Sequence, residues 1–537
     1  MLVGIVDIGS NAVRFSVTDL NGTPSARNLP IVFQDRAKIS LYDAIASSSD
    51  RRISKSVFDR LRAALSRFDA VCRALGVAAE DVSLFGTEAS RSAANSDDLL
   101  SLIRSINSKW KISLLRQNME AKYGALGIAA SYHEINGVVM DLGGGSIQIS
   151  WVSTLGRKLS ISETAVSLPY GAAALSLRLS RSKNIAELKA ELVKAFATAL
   201  RQINLPFSLK GASLYLSGGG FRALGCFIMS MLSEDEHYPI PIINGYRCSL
   251  KDLDKVTQRQ INEQIAAKLE DMFRISKRRA MQLPSICFLV QSLISATSVL
   301  GSVYFCQGGI KEGFLFSILS DSIRFKDPLV SCTLDHAKPA SEKIATLLDF
   351  SMSAFTPSYI SKRIAPAIAN LLYDQASYTK DVQATAALNI AITGPLAKAF
   401  GLSHVDRALI GIILCERWGG EVFDERILGR LCNLVVKETK GSLGYSYMFW
   451  GFYIAKIGTI LAELYPAAVV DDDNRVKIGL LKDEVDLVVV EMTFKADDAV
   501  RLALWEKIEG LEKAVKKFRK KYDIAKVPII TFKYVLV

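Results

Sequence analysis

The chain has 537 residues, half of them hydrophobic and 22% charged, which excludes a disordered chain and is too much for one hydrophobic core; three or four domains are expected. Its 66 Lys and Arg against 54 Asp and Glu leave a formal charge of +12, which suits a polyanionic ligand or serves solubility alone, since the positive charge is not gathered in one tail. The eight cysteines are scattered with no CxxC pair, which excludes a disulfide framework and points to a reducing compartment.

In chain order, residues 4–17, GIVDIGSNAVRFSV, read as an apolar strand carrying Asp7, a turn with Gly9, Ser10 and Asn11, and an outgoing strand with Val13, Phe15 and Val17. Asp7 lies too near Met1 for a signal or transit peptide to precede it, so a cytoplasmic or nuclear location is expected. Residues 31–41 are strand-like and carry Arg36 and Lys38 toward an anion. A helix over 53–75, a strand over 82–86 opening into Thr87, Glu88 and Arg91, a helix over 96–107, a strand over 112–115 and a helix over 117–130 complete an alternating α/β lobe.

Residues 138–150, VVMDLGGGSIQIS, repeat the opening plan. A strand delivers Asp141 to a turn of Gly143, Gly144, Gly145 and Ser146, and a second strand leaves it. Glycines let backbone N–H groups converge on an oxyanion, Ser146 supplies a hydroxyl, and an aspartate there holds a hydrated cation. Two such hairpins about one domain apart imply two related lobes, with a nucleotide or polyphosphate in the cleft between them.

A turn at 167–171 opens a helix, and 185–200 is amphipathic. YLSGGG at 215–220, with Gly218 and Gly219, is a third strand-to-glycine turn, which either meets a base or phosphate or merely turns the chain. Residues 246–266 and 276–295 read as helices. The charge-free stretch 281–310 reads as a buried helix and strand because of its Gln291, Ser292, Ser295, Thr297, Ser298 and Ser302, not as a membrane span. Residues 304–313 close the lobe. From 321 the pattern changes to long helices, over 341–355, 358–376, 382–399, 404–416 and 444–464. The end reads as strand, helix and strand over 484–493, 495–522 and 527–537. The basic run 513–521 falls on that helix as a solvated face, and no zinc-finger or RRM signature accompanies it.

Residues 1 to about 320 resemble the exopolyphosphatase and guanosine-pentaphosphate phosphohydrolase family, through DIGSN at 7–11, GTEASR at 86–91, MEAK at 119–122, DLGGGS at 141–146, SGGGFRAL at 217–224, NGY at 244–246, KRRAMQLP at 277–284 and GGIKEG at 308–313. Within that family the chain is similar to the fungal retrograde-signalling members, which relay mitochondrial state to nuclear transcription. That likeness rests on FQDRAKISLYDA at 33–44, SLPYGA at 167–172, ATAALNIA at 384–391 and LSHVDRALIGIILCERWGG at 402–420. It implies an α/β fold of two actin-like (RNase H-like) lobes at 1–132 and 133–320, an α-helical domain at 321–480 and a small C-terminal α+β unit at 481–537.

The resemblance makes Glu120 the catalytic carboxylate, Asp7 and Asp141 the ligands of a Mg²⁺, and Arg91 the holder of a phosphate oxygen. Against the family pattern, Met119 replaces a Glu, Lys122 an Arg and Gln148 an acid, which erodes turnover more than binding. The helical domain holds two of four histidines, His336 and His404 beside His133 and His237, too few for a metal phosphohydrolase set, so it is expected to be an interaction scaffold. The expectation is a cytoplasmic retrograde-signalling regulator that binds ATP or another polyphosphate and a regulatory protein. A homodimer is compatible with this, and no direct nucleic-acid binding is expected. The alternative is an active exopolyphosphatase or guanosine-pentaphosphate phosphohydrolase.

Overall fold

The computed structural model describes the chain apart from residues 207–210, 234–236, 264–274, 298–300, 440, 471, 473–474, 496–497, 522–526 and 537, and apart from the side chains of 498–506, 509 and 536. It divides into two compact units, Met1–Tyr238 with Ile243–Lys326, and Pro239–Ile242 with Asp327–Val537.

The first unit is built on two sheets of one topology. In the first sheet, β1 (Leu2–Ile8), β2 (Val13–Asp19) and β3 (Ile31–Ala37) form an antiparallel meander. β4 (Val82–Gly86) and β5 (Lys111–Leu114) then add parallel on the other side of β1, giving the order β3-β2-β1-β4-β5. The second sheet repeats it with β6 (Asn136–Leu142), β7 (Ile147–Ser153), β8 (Ser160–Ile161), β9 (Val166–Leu168), β10 (Ser213–Ser217), β11 (Arg247–Ser249) and β12 (Ser302–Phe305). Its order is β11-β12-β10-β6-β7-β8 with β9 also on β7, and β6, β10 and β12 run parallel. Each lobe is therefore a three-strand meander with two further strands added, parallel, beyond its first strand, the actin-like arrangement.

The central strand β1 is buried from Val3 to Ile8 because helices cover both faces. In the first lobe Phe15 stacks on Phe68 of helix Lys55–Ala74 at 4.6 Å. In the second, Leu142, Ile147, Leu192, Phe196, Phe221 and Ile286 meet in one core. Helix Lys277–Ala296 and β12 account for the charge-free stretch, and no described helix is long and apolar enough to cross a membrane.

The chain crosses between lobes twice, along helix Gln117–Ala130 and along helix Ile310–Ile318, and these helices meet backbone to backbone. A Cβ on Gly127 would strike the backbone of Gly309, and one on Gly313 would strike the Tyr123 carbonyl. The junction is closed by hydrogen bonds. Gly308 N–H donates to Ser131 Oγ at 3.3 Å, Gln307 N–H to Asn244 Oδ1 at 3.0 Å, and Tyr132 Oη–H to the Phe305 carbonyl at 2.9 Å. Buried Arg27 donates to the carbonyls of Ala130 and Tyr132 at 3.2 and 2.7 Å, placing a cation at the C-terminal end of the first crossing helix.

The second unit packs helices around Ser442–Leu464, whose Phe449, Trp450, Tyr453 and Ile457 are buried. Its sheet joins β13 (Val476–Asp483) antiparallel to β14 (Leu487–Phe494), with β15 (Ile529–Leu536) parallel to β14 after helix Asp498–Lys521.

Several expectations are corrected. The helix expected over 246–266 begins with β11, because Cys248 is drawn into the sheet core beside Val303, and continues as helix Leu250–Glu263. The helix expected over 382–399 runs Lys380–Asn389 and is followed by a separate short turn, Pro395–Lys398, whose first position tolerates a proline because its N–H has no helical partner there. That expected over 358–376 forms from 358 to Leu371, with a π-helical segment, Ile360–Ile364, inside it, and ends five residues early. The helix expected over 341–355 ends at Ser351. Helix Glu425–Glu438 and strand β13 were not anticipated, and the C-terminal sheet therefore begins ahead of residue 481. Residues 264–266, 298–300, 496–497, 522 and 537 of the predicted stretches lie outside the described residues.

Gly127→Val is expected to lower the unfolding free energy measured in urea by about 1–3 kcal/mol or more, because a backbone cannot yield as a side chain can. Gly429→Ala, on an open helix position where a Cβ meets nothing within 4 Å, is the control and should be neutral or slightly stabilising. Equal stabilities in the two variants would mean that the helix crossing tolerates side chains.

Candidate functional site

Both hairpins expected to cradle phosphate close the same way. Gly9 N–H donates to the Ala12 carbonyl at 3.1 Å, and Gly143 N–H to the Ser146 carbonyl at 2.9 Å. In register, Asp7 faces Arg14 and Asp141 faces Gln148. Each hairpin is backed by the start of a helix. Tyr42 N–H and Ser40 Oγ–H donate to the Ser10 carbonyl at 3.0 and 3.1 Å. Gly171, Ala172 and Ala173 donate to the carbonyls of Gly145, Gly143 and Gly144 at 3.1, 3.0 and 3.0 Å. With carbonyls engaged from behind, the N–H groups of Ser10, Asn11, Gly144, Gly145 and Ser146 have no acceptor among the described residues, the arrangement an anion needs.

The hairpins also approach one another. A Cβ on Gly144 would lie 2.8 Å from Asn11 Nδ2, and one on Gly145 would lie 2.9 Å from Glu88 Oε2 and 3.4 Å from the Tyr42 ring. These two glycines are thus needed for lobe approach as well as for any ligand. Gly218 has φ +95°, and a Cβ there would meet Asp141 Oδ1 at 2.6 Å; one on Gly219 would strike the Arg279 guanidinium. The third glycine turn therefore packs on an acid and an arginine of the same region.

Beneath the hairpins lie the acids. Asp7 is 5% exposed, its Oδ1 has no hydrogen-bond partner, and its nearest cation is Arg14 at 3.8 Å. Burial raises the Asp7 carboxyl above its usual range and pushes Asp141 to about 6; Arg14 opposes both shifts, and Glu312 adds to both. Glu120, in the first turn of helix Gln117–Ala130, is pushed to about 7 by burial, against a 2.9 Å hydrogen bond from Arg91 Nη1. Arg91, expected to hold a phosphate, thus holds Glu120 and the Leu115 carbonyl. Glu312 accepts from Gly309 N–H at 2.9 Å. Among the described residues no three His, Cys, Asp or Glu side chains group closely enough to hold a metal by themselves. Two carboxylates, one with an orphaned buried oxygen, nevertheless fit Mg²⁺, which takes one or two carboxylates and completes its shell with water and substrate phosphate.

Facing these acids is a set of arginines of which the sequence pointed only Arg36 toward an anion. Arg14 and Arg36 come from β2 and β3, Arg222 from helix Gly219–Met231, and Arg278 and Arg279 from the start of helix Lys277–Ala296. Burial lowers Arg279 to about 10, with Arg14, Arg278, Arg36 and Arg222 adding like-charge repulsion. Arg36 is lowered for the same reasons. Arg278 bridges Asn11 Oδ1 at 2.7 Å and Asp43 at 3.0 Å. The signal was present, since Arg222, Arg278, Arg279 and Glu312 all lie inside motifs quoted from the sequence.

In the second unit the histidines serve packing contacts: His336 Nδ1 pairs with Asp374 at 2.5 Å, and buried His404 Nε2 meets the Ile242 carbonyl at 2.8 Å. Asp406 accepts from Ser403 and Tyr359 and pairs with Arg363 at 3.3 Å.

Residues 21–322 match the model of the Ppx/GppA phosphatase family, and residues 327–528 match that of the RTG2 C-terminal domain. The chain is 34% identical over 489 residues to Retrograde regulation protein 2 of Saccharomyces cerevisiae, covering 88% of this chain and 82% of that one. It is 31% identical over 180 residues to Exopolyphosphatase 1 of Mycobacterium tuberculosis, covering 33% of this chain and 48% of that one. Among solved structures, an exopolyphosphatase from Cytophaga hutchinsonii (18% identity, TM-score 0.47) covers 59% of this chain and 98% of its own. The Aquifex aeolicus Ppx/GppA family member (18% identity, TM-score 0.48) covers 59% and 97%.

The raised carboxyls carry a stability signature. The folded chain holds the Glu120 proton up to about 7 and the Asp141 proton up to about 6, against ordinary values of 4.5 and 3.8. The folded state therefore binds these protons more tightly than the unfolded one, and stability rises as pH falls through 7 and 6. Glu120→Gln is expected to be more stable than the parent at pH 8, by up to roughly 3 kcal/mol if the whole shift is relieved, and to flatten the melting-temperature rise between pH 8 and 6. An unchanged slope would mean that Glu120 titrates as an ordinary glutamate.

Proposed function

The chain belongs to the Ppx/GppA phosphatase family, and from that premise we propose that it is a cytoplasmic signalling regulator of the mitochondria-to-nucleus type. In this reading it binds ATP or another polyphosphate with Mg²⁺ between its actin-like lobes and changes its grip on a regulatory protein when that ligand is present. The observation that carries the reading is at Gln148, where the family has an acid. Its Nε2–H donates to Ser146 Oγ at 2.8 Å. A hydroxyl that accepts from an amide keeps its own proton for a ligand, whereas a glutamate at 148 would accept that proton. The exchange removes one negative charge beside Asp141 and leaves one more donor for a phosphate oxygen, so it favours holding over turning over.

The arginines support the same ligand class. Arg14, Arg36, Arg222, Arg278 and Arg279 repel one another, and Asp43 is the acid paired with Arg278. A chain of phosphates would relieve that repulsion along its length, as a single phosphate would not. Asp7 and Asp141 would hold the Mg²⁺, which offsets phosphate charge when bound.

One observation favours the alternative reading, a phosphoanhydride hydrolase. Glu120 at about 7 is matched to deprotonating a water at neutral pH.

Calorimetry and phosphate release together test the proposal. Gln148→Glu is expected to weaken binding of Mg²⁺ with inorganic polyphosphate by about tenfold, the loss of roughly 1–2 kcal/mol from one charge-assisted hydrogen bond, while raising phosphate release. A parent rate in the common enzyme range of about 1–1,000 per second would restore the hydrolase reading. Because Asp141 must be ionised to hold the cation, the Mg²⁺-dependent part of the affinity is expected to fall as pH drops through about 6; an affinity flat from pH 8 to 5 would remove Asp141 from the cation site.

A further inference from the structure

The helical unit contains a cation that the polyphosphate reading does not use. Arg417, the last residue of helix His404–Arg417, lies with its guanidinium carbon 4.3 Å from the centre of the Trp418 ring. Its Nε is buried without a hydrogen-bond partner, and so is Trp418 Nε1. Nearby acids are already engaged: Glu416 with Lys456 at 2.6 Å, and Glu463 with Lys507. Lys507 and Tyr373 both feel the Arg417 charge, and the Tyr373 hydroxyl is spent on the Tyr465 carbonyl at 2.7 Å. Burial accordingly lowers Arg417 to about 10.

Two other buried arginines of this unit show what a structural role looks like. Arg407 donates to the carbonyls of Ala391, Leu396, Ala397 and Ala399, and Arg363 pairs with Asp327 and Asp406. Arg417 has neither kind of partner among the described residues. Its place at a helix C-terminus is favourable, but the helix end supplies only about half a charge and leaves the buried donors unfilled.

We propose that Arg417 and Trp418 form a binding site for a small carboxylate, whose two oxygens accept from Arg417 Nε and an Nη in the guanidinium plane while the indole face holds that plane in position. The fork of the guanidinium matches a carboxylate bidentately. Charge selects the same class: with Lys507 neutralised by Glu463, one positive charge remains, which a carboxylate balances and a phosphate dianion would overshoot.

The test uses the full chain labelled with 5-fluorotryptophan. Its five tryptophans give few ¹⁹F lines, and Trp418→Phe identifies the one that matters. Titration with acetate, with phosphate and chloride at matched ionic strength, is expected to shift the Trp418 line saturably for acetate alone, with a Kd of about 1 mM or tighter. Arg417→Gln should abolish the shift and Arg417→Lys weaken the affinity more than tenfold. Arg417→Gln removes an unpaired buried charge, so it should melt no lower than the parent, and acetate should raise the melting temperature of the parent only. The proposal is overturned if no saturable shift occurs, if phosphate or chloride shifts the line as acetate does, or if Arg417→Gln responds like the parent.

Discussion

The contact on which the first unit depends is the crossing of its two inter-lobe helices. Gly127 and Gly313 let backbone rest on backbone, with Gly308 and Gly309 at the junction. That crossing is the geometric pivot of the unit, since both passages of the chain between the lobes run through it. Glu120 stands at one end of the first crossing helix and the buried Arg27 at the other. The carboxylate is therefore positioned relative to the pivot itself and not to either lobe alone.

Around that pivot the charges are sorted in an unfavourable way for the chain by itself. Buried acids, Asp7, Asp141 and Glu120, are all raised toward their neutral forms, while the arginines opposite are pushed toward losing charge. Arg14 joins the two sets at Asp7, and Arg91, outside the arginine set, pairs with Glu120. A cation bound to a polyanion is the mirror image of this arrangement, with positive charge against the acids and negative charge against the arginines. The site is thus pre-organised at a cost in stability, which is the usual relation between a fold and its functional residues.

Much of this was legible in the sequence. The glycine hairpins announce themselves because an acid and a glycine run at a strand end have few other physical uses, and helix 117–130 was read to its ends because a strand and a loop bracket it. The five arginines were not legible as a set: positions 14, 36, 222, 278 and 279 converge only when two sheets and two helices are assembled. Strand β11 was missed because three residues carry too little periodicity to compete with the helical pattern after them. β13 was missed because its exposed residues, Lys477, Lys482 and Asp483 among them, read as loop. That no helix could run through Pro395 to 399 was available from local chemistry and was overridden by the surrounding alanine-rich pattern.

The segment Pro239–Ile242 belongs to the helical unit although the chain on either side of it belongs to the lobes, and His404 holds its Ile242 carbonyl. The two regions named by the family matches, 21–322 and 327–528, are therefore not interchangeable modules joined end to end. A truncation before Asp327 leaves a four-residue tongue with no bed, and a fragment beginning there has a bed with no tongue.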